Sequence, residues 1–393
     1  MARVPRKPPR LARRGQDRHE GRVPRAHQGG LDRHAAAQPA QADGGGPAVV
    51  TASSALPQRE APEGAARSDA AGLSRSFFPG DALPLVVGPL GRGDAAGVPA
   101  LAAAIRACAE EELIRHGAVL FRGFPVQSLA DFHAFVRIVT PELLDYTFGS
   151  TPRSHVQDRI YTSTEYPAHQ HIPLHNEQSY TLDWPLKIWF HCAQAAPEGG
   201  STPIADSREV FRRIPPRIRE RFAAKKVMYV RNYGNGLDLP WQKVFGTDDR
   251  AEVERFCQAA GIECVWKADG ELRTRQVCQA VATHPRTGEQ VWFNQAHLFH
   301  VSNLDPAARE ALLSIFAEED LPRNAMYGDG SPIEGAALDE IREVYRQLAV
   351  EFAWQEGDVL LADNMLVAHG RAPYRGPRKV LVAMAEPYRA KAS

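Results

Sequence analysis

The chain has 393 residues, of which 47 are Lys or Arg and 47 are Asp or Glu, so its formal net charge is zero. This balance gives no general attraction to nucleic acid or to an anionic membrane surface. No stretch approaches the ~18 consecutive apolar residues of a membrane span, so we expect neither nucleic acid nor a membrane as a partner.

The chain contains five cysteines, an odd number, and none of them forms a CxxC pair. A disulfide framework is therefore not expected, and the cysteines fit a reducing compartment. We predict a cytoplasmic protein, and the sequence leaves its oligomeric state open.

The first 75 residues differ in composition from the rest of the chain. They are rich in Arg, Pro, Ala and Gly, and large aliphatic and aromatic side chains are sparse. Such a segment cannot bury enough apolar surface to offset the entropy lost on ordering. We predict a disordered tail over residues 1–75 and one folded domain over residues 76–393. A basic arm for nucleic acid and a translation start placed too far upstream are alternative explanations of this composition.

The first half of the predicted domain carries strand and helix patterns. SFFPGDALPLVV predicts a strand with a turn, VPALAAAIRACAEEELIRHG a helix that ends at Gly117, and GAVLFRGF a fully buried strand. SLADFHAFVRIV predicts a helix with Ser128 as N-cap and Asp131 in its first turn. IYTSTEYPAHQHIPLHNEQSY and LKIWFHCAQAA then predict strands that are joined by short loops.

The second half begins with a charged segment, from Ser207 to about Ala260, that we predict to be helical. Strand patterns return at ECVWKA, LRTRQVC and EQVWFNQ. LDPAAREALLSIFAEE and ALDEIREVYRQLAVEFAW predict two further helices, and the C-terminal block predicts strand, turn and strand. Antiparallel-style strands with helical insertions favour a mainly β fold with a double-stranded β-helix (jelly roll) core that is flanked by helices.

The sequence HNE at 175–177 offers an imidazole and a carboxylate two residues apart. On a strand, residues i and i+2 point to the same face, so His175 and Glu177 would project into one cavity and bind a divalent metal there. The third ligand must come from elsewhere in the chain, and His369 is the candidate. An isolated HxE is more often a structural polar pair, so this hypothesis depends on the residues around it.

Two further segments suit a co-substrate that carries a carboxylate, such as 2-oxoglutarate. In HGRAPYRGPRK, a turn at 375–377 would bring Arg378 back beside the metal, and Arg binds a carboxylate through its planar fork. In GGSTPIAD, the hydroxyl of Thr202 would donate a hydrogen bond to the same carboxylate. The alternative interpretations are a solvated turn charge for Arg378 and an ordinary strand residue for Thr202.

Taken together, these motifs resemble a known family. HNEQSY, GGSTPIADS, WFNQ and HGRAPYRGPRKVLVAMAEP, with GAVLFRGF upstream, are similar to the taurine dioxygenase (TauD/TfdA) superfamily. The similarity is closest to its syringomycin-cluster aspartyl hydroxylase-like and clavaminate synthase-like branch, and it runs from about Phe77 to Pro387.

The resemblance implies an Fe(II) enzyme with 2-oxoglutarate and O2 as co-substrates. It implies that the iron is held by His175, Glu177 and His369, and that Thr202 and Arg378 hold the 2-oxoglutarate carboxylate.

This sequence departs from the family pattern in two places. Several relatives carry a substrate-contacting Arg four residues beyond the cofactor Arg, where this chain has Val382. The spacing from His369 to Arg378 is also shorter than in several relatives, so Arg371 and Arg375 compete with Arg378 for the cofactor role. Carrier-protein halogenases of this fold have a small residue at the position of Glu177, so we expect hydroxylation, desaturation or epoxidation rather than halogenation.

The resemblance predicts the substrate class. We expect hydroxylation of an aliphatic C–H in an amino acid or an aminoacyl group tethered to a carrier protein, in natural-product (antibiotic) biosynthesis. A taurine- or sulfonate-type catabolic dioxygenase and a non-catalytic, cupin-like metal-binding protein are the alternatives.

Several polar residues are weaker candidates around the predicted site. We expect the substrate to be contacted by His171, Asn294, Gln295 and Arg371. The alternatives are that His171 orients 2-oxoglutarate or only packs, and that Asn294 and Gln295 are structural amides at a strand end. Arg371 has a structural alternative, an ion pair with Asp363, and Asn364 is expected to support His369 by hydrogen bonding. We expect His297 and His300 not to be metal ligands, because three ligands are already assigned.

Overall fold

The computed structural model describes residues 67–68, 72–90, 97–145, 155–163, 166–234, 239–267 and 270–390. Most of the tail predicted over residues 1–75 lies outside these ranges. The described end of that segment belongs to the fold, because Leu73–Ser76 form a strand and Leu73 is fully buried. The folded part therefore begins before the predicted boundary at residue 76. That boundary was based on composition, which does not reveal the burial of a single leucine.

Strands are spread along all the described ranges. Those in the first half are β1 (Arg67–Ser68), β2 (Leu73–Ser76), β3 (Leu85–Pro89), β4 (Ala118–Phe121), β5 (His155–Gln157), β6 (Ile160–Thr162), β7 (Ile172–His175), β8 (Asp183–Gln194), β9 (Glu198–Gly199) and β10 (Ile204–Asp206). Those in the second half are β11 (Val227–Tyr233), β12 (Glu263–Trp266), β13 (Leu272–Cys278), β14 (Val281–Thr283), β15 (Gln290–Trp292), β16 (Arg323–Tyr327), β17 (Val359–Asp363), β18 (Val367–Arg371), β19 (Tyr374–Arg375) and β20 (Lys379–Arg389).

Helices are inserted between these strands. They are α1 (Gly97–His116), α2 (Leu129–Val139), α3 (Ser207–Arg213), α4 (Pro216–Lys225), α5 (Trp241–Phe245), α6 (Arg250–Ala260), α7 (Ala296–Phe299), α8 (Pro306–Ile315) and α9 (Gly335–Leu348). Within the described ranges, no helix is both long enough and apolar enough to cross a bilayer.

Two sheets form the centre of the fold. The larger has the strand order β1-β2-β3-β4-β17-β8-β20-β6-β5, and the smaller has the order β10-β18-β7. They share an apolar layer in which Phe190 and Val382 of the larger sheet pack with Ile204 and Val367 of the smaller one. The described strands do not close into a continuous hydrogen-bonded barrel. Sheets with helical insertions agree with the predicted fold class at this level.

Helices α1 and α2 cover the outer side of the larger sheet. Their apolar side chains, such as Ile105 and Phe135, pack with Phe121 of the buried strand β4. The prediction for α2 is confirmed, because Ser128 is its N-cap and forms a reciprocal capping box with Asp131. The capping box fixes the N-terminal end of this short helix.

One segment was predicted wrongly. The stretch from Ser207 to Ala260 is not helical throughout, because β11 (Val227–Tyr233) lies within it and pairs with β13 and β16. Its sequence, VMYVRNY, is rich in β-branched and aromatic residues, which favour strands. Its pairing partners, β13 and β16, lie much further along the chain. The local sequence around β11 is dominated by charged helices, so the strand was not predicted.

Candidate active site

Strands β7 and β18 bring two histidines face to face. The antiparallel register places His369 directly opposite His175, and the centroids of the two imidazole rings are 4.6 Å apart. Glu177 lies two residues beyond β7. One ligand atom from each of these three side chains lies within 4.8 Å of the others. Two imidazoles and one carboxylate at this spacing suit a divalent metal, and the combination is typical of non-haem Fe(II) oxygenases.

Glu177 reaches this cluster from a turn, not from a strand as predicted. Strand β7 ends at His175, and Gln178 has a φ of 55°, in the left-handed region. The expected alternation along a strand therefore does not explain why the two side chains converge. The turn itself aims the carboxylate of Glu177, which is almost fully buried.

Asn364 holds this turn in place. Its side-chain oxygen accepts the Glu177 backbone N–H at 2.7 Å, and its amide nitrogen donates to the Glu177 carbonyl at 2.9 Å and to the Pro185 carbonyl at 2.9 Å. The sequence predicted that Asn364 supports His369. The structure shows instead that it fixes the backbone of Glu177, because the loop after β17 faces the turn after β7.

The tautomer of His175 follows from its surroundings. Its Nδ1 lies 2.8 Å from the carbonyl oxygen of Pro173. Because a carbonyl only accepts hydrogen bonds, Nδ1 carries the proton and Nε2 keeps its lone pair for a metal. This arrangement also fixes the orientation of the ring.

A small inner cavity adjoins the two histidines. Its lining includes Ser163, Ile172, His175, Phe190, Thr202, His369, Gly370, Arg371, Arg378, Val380 and Val382. Thr202 is buried, and its Oγ1 accepts a hydrogen bond from the indole N–H of Trp354 at 3.0 Å. The hydroxyl proton of Thr202 is thereby left to be donated to an acceptor inside the cavity.

Arg378 supplies positive charge to the inner cavity. Its Nε donates to the carbonyl of Gly200 at 2.9 Å, and its guanidinium lies 5.4 Å from the ring centroid of Tyr374. Burial lowers the pKa of Arg378 to about 10, and the charge of Arg371 acts in the same direction. The guanidinium therefore still carries its charge at neutral pH.

Gly200 makes room for Arg378. It has a φ of +74°, and a Cβ at this position would lie 3.0 Å from both Cδ and Nε of Arg378. A larger residue would therefore be strained in its backbone and would displace the arginine.

The two competing arginines have other contacts. Arg375 is exposed, and its side chain lies 3.5 Å from the carboxylate of Glu198. Arg371 does line the inner cavity, but its guanidinium donates to three backbone carbonyls, those of Tyr166, Pro167 and Gln170. Arg371 thus ties down the segment 166–170 beside the site.

The alternative role of Arg371, an ion pair with Asp363, is not what the structure shows. The Asp363 carboxylate lies 3.1 Å from Nε2 of His284 and accepts the backbone N–H groups of Met365 and Leu366. Asp363 is the last residue of β17, and its carboxylate is used to hold the loop that leads to β18.

A larger outer cavity, of about 560 Å³, lies on the other side of His175. Its lining includes Tyr166, Gln170, His171, Ile172, Pro173, His175, Glu177, Gln295, Leu298, Phe299, Asn303, Leu304, Asp305 and Arg323. Two of the predicted substrate-contacting residues, His171 and Gln295, are among them. His175 therefore borders both cavities, and Glu177 borders the outer one.

Asn294 has a structural role instead. It is fully buried, its amide nitrogen donates to the carbonyl of Ala280 at 2.8 Å, and its oxygen accepts the N–H of Ala296 at 3.1 Å. Within the described ranges it lines neither cavity. Its side chain shapes the turn into α7, and its contact with the substrate stays a prediction.

His297 and His300 are not among the three side chains of the described ranges that could hold a metal ion together. His297 is buried, and its Nε2 lies 2.9 Å from the carbonyl of Leu174 in β7. Burial lowers the pKa of His297 to about 3, so this ring is neutral and donates to the strand that carries His175.

Sequence reasoning missed Trp354 and Arg323. Trp354 follows α9 in the run EFAW, and Arg323 begins β16 in LPRNAMY. Neither run forms a motif with the metal ligands. Only the fold places Trp354 against Thr202 and Arg323 in the outer cavity.

Comparisons with known proteins show the family of this chain. The family model for taurine catabolism dioxygenase TauD, TfdA family, matches residues 89–384. The dapdiamide synthesis protein DdaC of Enterobacter agglomerans is 43% identical over 278 residues, which is 71% of this chain and 84% of DdaC. A clavaminate synthase-like protein of Arabidopsis thaliana is 32% identical over 279 residues, 68% of this chain and 81% of that protein.

Solved structures show a more distant likeness. PvcB, an Fe, alpha-ketoglutarate dependent oxygenase from an isonitrile synthetic pathway, is 17% identical with a TM-score of 0.48, covering 83% of this chain and 97% of PvcB. A taurine dioxygenase from Burkholderia xenovorans is also 17% identical, with a TM-score of 0.41 over 77% of this chain and 86% of that one. The assignment rests on the sequence matches: the chain belongs to the TauD, TfdA family and is a 2-oxoglutarate-dependent non-haem iron dioxygenase.

Proposed function

We propose that His175, Glu177 and His369 bind Fe(II), and that Arg378 and Thr202 hold the distal carboxylate of 2-oxoglutarate in the inner cavity. The observation that carries this proposal is the convergence of the three ligand atoms within 4.8 Å of one another. Arg378 and Thr202 line the same cavity as the two histidines. When bound, the iron and 2-oxoglutarate supply, with O2, the oxidant that attacks an aliphatic C–H bond.

The protein's own residues position these groups. Pro173 fixes the tautomer of His175, and Asn364 fixes the backbone of Glu177. The guanidinium of Arg378 and the hydroxyl of Thr202 can each donate a charge-assisted hydrogen bond to one carboxylate. Phe190 packs edge-on against His369, with ring centroids 5.0 Å apart, and this contact keeps bulk water from that ligand.

We place the site within a double-stranded β-helix. The apolar layer shared by the nine-stranded and three-stranded sheets supports this interpretation. In it, β7 and β18 carry the two histidines, and the turn after β7 carries Glu177. The free thiols of the described cysteines support a reducing, cytoplasmic setting.

We propose that the substrate is an amino acid or an aminoacyl group, hydroxylated in a biosynthetic pathway. One relative is named for dapdiamide synthesis and another for its likeness to clavaminate synthase, and both names support biosynthesis over sulfonate catabolism. The carboxylate of Glu177 occupies the place that a halide would need, which favours hydroxylation over halogenation. The outer cavity, which borders His175 and Glu177, is the proposed place for the substrate.

A decarboxylation assay tests this function. We expect the purified protein, supplied with Fe(II), ascorbate and O2, to release CO2 from 2-oxoglutarate in step with hydroxylation of an amino-acid substrate. His175→Ala should abolish the release, while His133→Ala, which removes a histidine from α2, should leave it unchanged. Full activity of His175→Ala would overturn the ligand assignment.

A further inference from the structure

The lining of the inner cavity is positively charged. Of the described residues, two arginines and no Asp or Glu line it. The guanidinium carbons of Arg371 and Arg378 lie 5.2 Å and 5.4 Å from the ring centroid of Tyr374. The two positive charges repel each other, and the repulsion is stronger in a buried site than in water. The dianion 2-oxoglutarate, bound in this cavity, would offset that repulsion.

Arg371 also contacts the wall of the outer cavity. Its Nη1 donates to the carbonyl of Tyr166 at 2.9 Å, and its Nη2 donates to the carbonyls of Pro167 and Gln170 at 2.7 Å and 3.0 Å. Tyr166, Gln170 and His171 line the outer cavity. One side chain therefore lines the proposed co-substrate cavity and holds the wall of the proposed substrate cavity.

The wall segment 166–171 precedes β7 and has no helix or strand of its own. It contains a turn in which the N–H of Gln170 donates to the carbonyl of Pro167 at 3.1 Å, and the carbonyl of Ala168 accepts a hydrogen bond from β19. Half of its backbone carbonyls accept from the single guanidinium of Arg371. The position of this wall therefore depends on how firmly that guanidinium is held.

We propose that Arg371 is a positioning residue that links the two cavities, so that 2-oxoglutarate in the inner cavity firms the 166–171 wall of the outer cavity. This inference rests on the proposed function. The anion compensates the buried charge of Arg371 and stabilises the position from which its guanidinium reaches the three carbonyls. A ligand that favours one state of a segment shifts the population toward that state. The bound co-substrate thereby prepares the cavity in which the substrate is proposed to bind.

Hydrogen exchange of the backbone amides in residues 166–171 tests this link without any substrate. The full chain is loaded anaerobically with Fe(II), and exchange is followed by mass spectrometry with and without saturating 2-oxoglutarate. Amide exchange reports the free energy of local opening of a segment. In the wild type we expect 2-oxoglutarate to slow the exchange of this segment by about fivefold or more, as for a typical coupling between two sites.

Variants assign the effect to one side chain. Arg371→Gln should lose the slowing by 2-oxoglutarate, and Arg371→Lys should keep part of it, because an ammonium group keeps the charge without the planar fork. Arg219 also donates to backbone carbonyls, those of Phe211 and Arg212, and lines neither cavity, so Arg219→Gln should behave as the wild type. The visible metal-to-ligand charge-transfer band at saturating 2-oxoglutarate shows that each variant is folded and loaded.

The possible outcomes separate this inference from the proposed function. Unchanged exchange in a wild type that shows the band, full slowing in Arg371→Gln, or an equal loss of slowing in Arg219→Gln would overturn the inference. If Arg371→Gln shows no band, Arg371→Lys decides, and slowing equal to that of the wild type would overturn the inference. Absence of the band in the wild type would instead overturn the proposed function.

Discussion

His369 and His175 face each other across two antiparallel strands, with their ring centroids 4.6 Å apart. Strand β18 is the middle strand of its sheet, with β10 on one side and β7 on the other. Both imidazoles are therefore carried by hydrogen-bonded strands and not by loops. Only the third candidate ligand, Glu177, depends on a turn, and that turn is where we expect the site to be most sensitive to substitution.

Asn364→Ala tests how the turn is held. Without the amide, the backbone N–H and C=O of Glu177 lose their partners, and the carboxylate is no longer aimed. We expect the affinity for Fe(II) to fall about 10- to 100-fold, as for other residues that orient a metal ligand. Fe(II) titration by calorimetry measures this loss.

Asn294→Ala is the matched control. Asn294 is equally buried and also bridges two backbone groups, those of Ala280 and Ala296. Both variants should unfold more easily, but only Asn364→Ala should lose Fe(II) affinity. Equal affinities for Fe(II) in the two variants would show that Asn364 has a purely structural role.

Arg378→Gln tests the co-substrate cavity. Loss of a charge-assisted contact costs about 1.5–3 kcal/mol, so the Kd for 2-oxoglutarate should rise roughly 10- to 100-fold. Arg375→Gln removes a nearby but exposed arginine and should have no effect. A large effect of Arg375→Gln with none of Arg378→Gln would exchange the roles of the two residues.

Gly200→Ala should act through Arg378. The added Cβ would lie 3.0 Å from Cδ and Nε of the arginine, whereas Gly288 has a similar φ of +71° with nothing within 4 Å of its Cβ position. Gly200→Ala and the control Gly288→Ala should each destabilise the fold by about 1 kcal/mol or more through backbone strain. Only Gly200→Ala should also weaken the binding of 2-oxoglutarate, as measured by the charge-transfer band.

His297 makes the stability of the apoprotein depend on pH. Burial holds its pKa at about 3 in the folded state, below the ~6.5 of an unfolded chain. The unfolded state therefore binds more protons between these values, and stability is lost as the pH falls through this window. Between pH 7 and pH 5 the loss from this residue is about 2 kcal/mol. Urea unfolding of wild type and His297→Gln at both pH values measures it, and an identical pH dependence in the two proteins would contradict it.

The sequence predicted the side chains of the candidate site better than the residues that hold those side chains in position. HNE, GGST and HGRAPYRGPR name the side chains that the structure brings together, because chemistry of this kind tolerates few residue types. Asn364, Trp354 and Arg323 act across turns and strand pairings between distant parts of the chain. Their roles depend on tertiary contacts, so no local pattern could assign them.

Two interpretations of the sequence missed hydrogen bonds to backbone groups. Strand β11 was hidden among charged helices because its hydrogen-bond partners, β13 and β16, lie about 40 or more residues further along the chain. Asn294 looked like a strand-end amide that lines a cavity, but its two hydrogen bonds close a turn. In both cases residue types alone do not reveal these hydrogen bonds, which join backbone to backbone in β11 and side chain to backbone at Asn294.

Anaerobic titration of the protein with Fe(II) and 2-oxoglutarate tests the central claim most directly. We predict a visible metal-to-ligand charge-transfer band in the wild type and in His133→Ala, and none in His369→Ala. The last variant removes the proposed ligand on β18, which lies opposite His175 of β7. A band of normal intensity and affinity in His369→Ala would contradict the account, since the metal would then be bound without the cross-strand histidine.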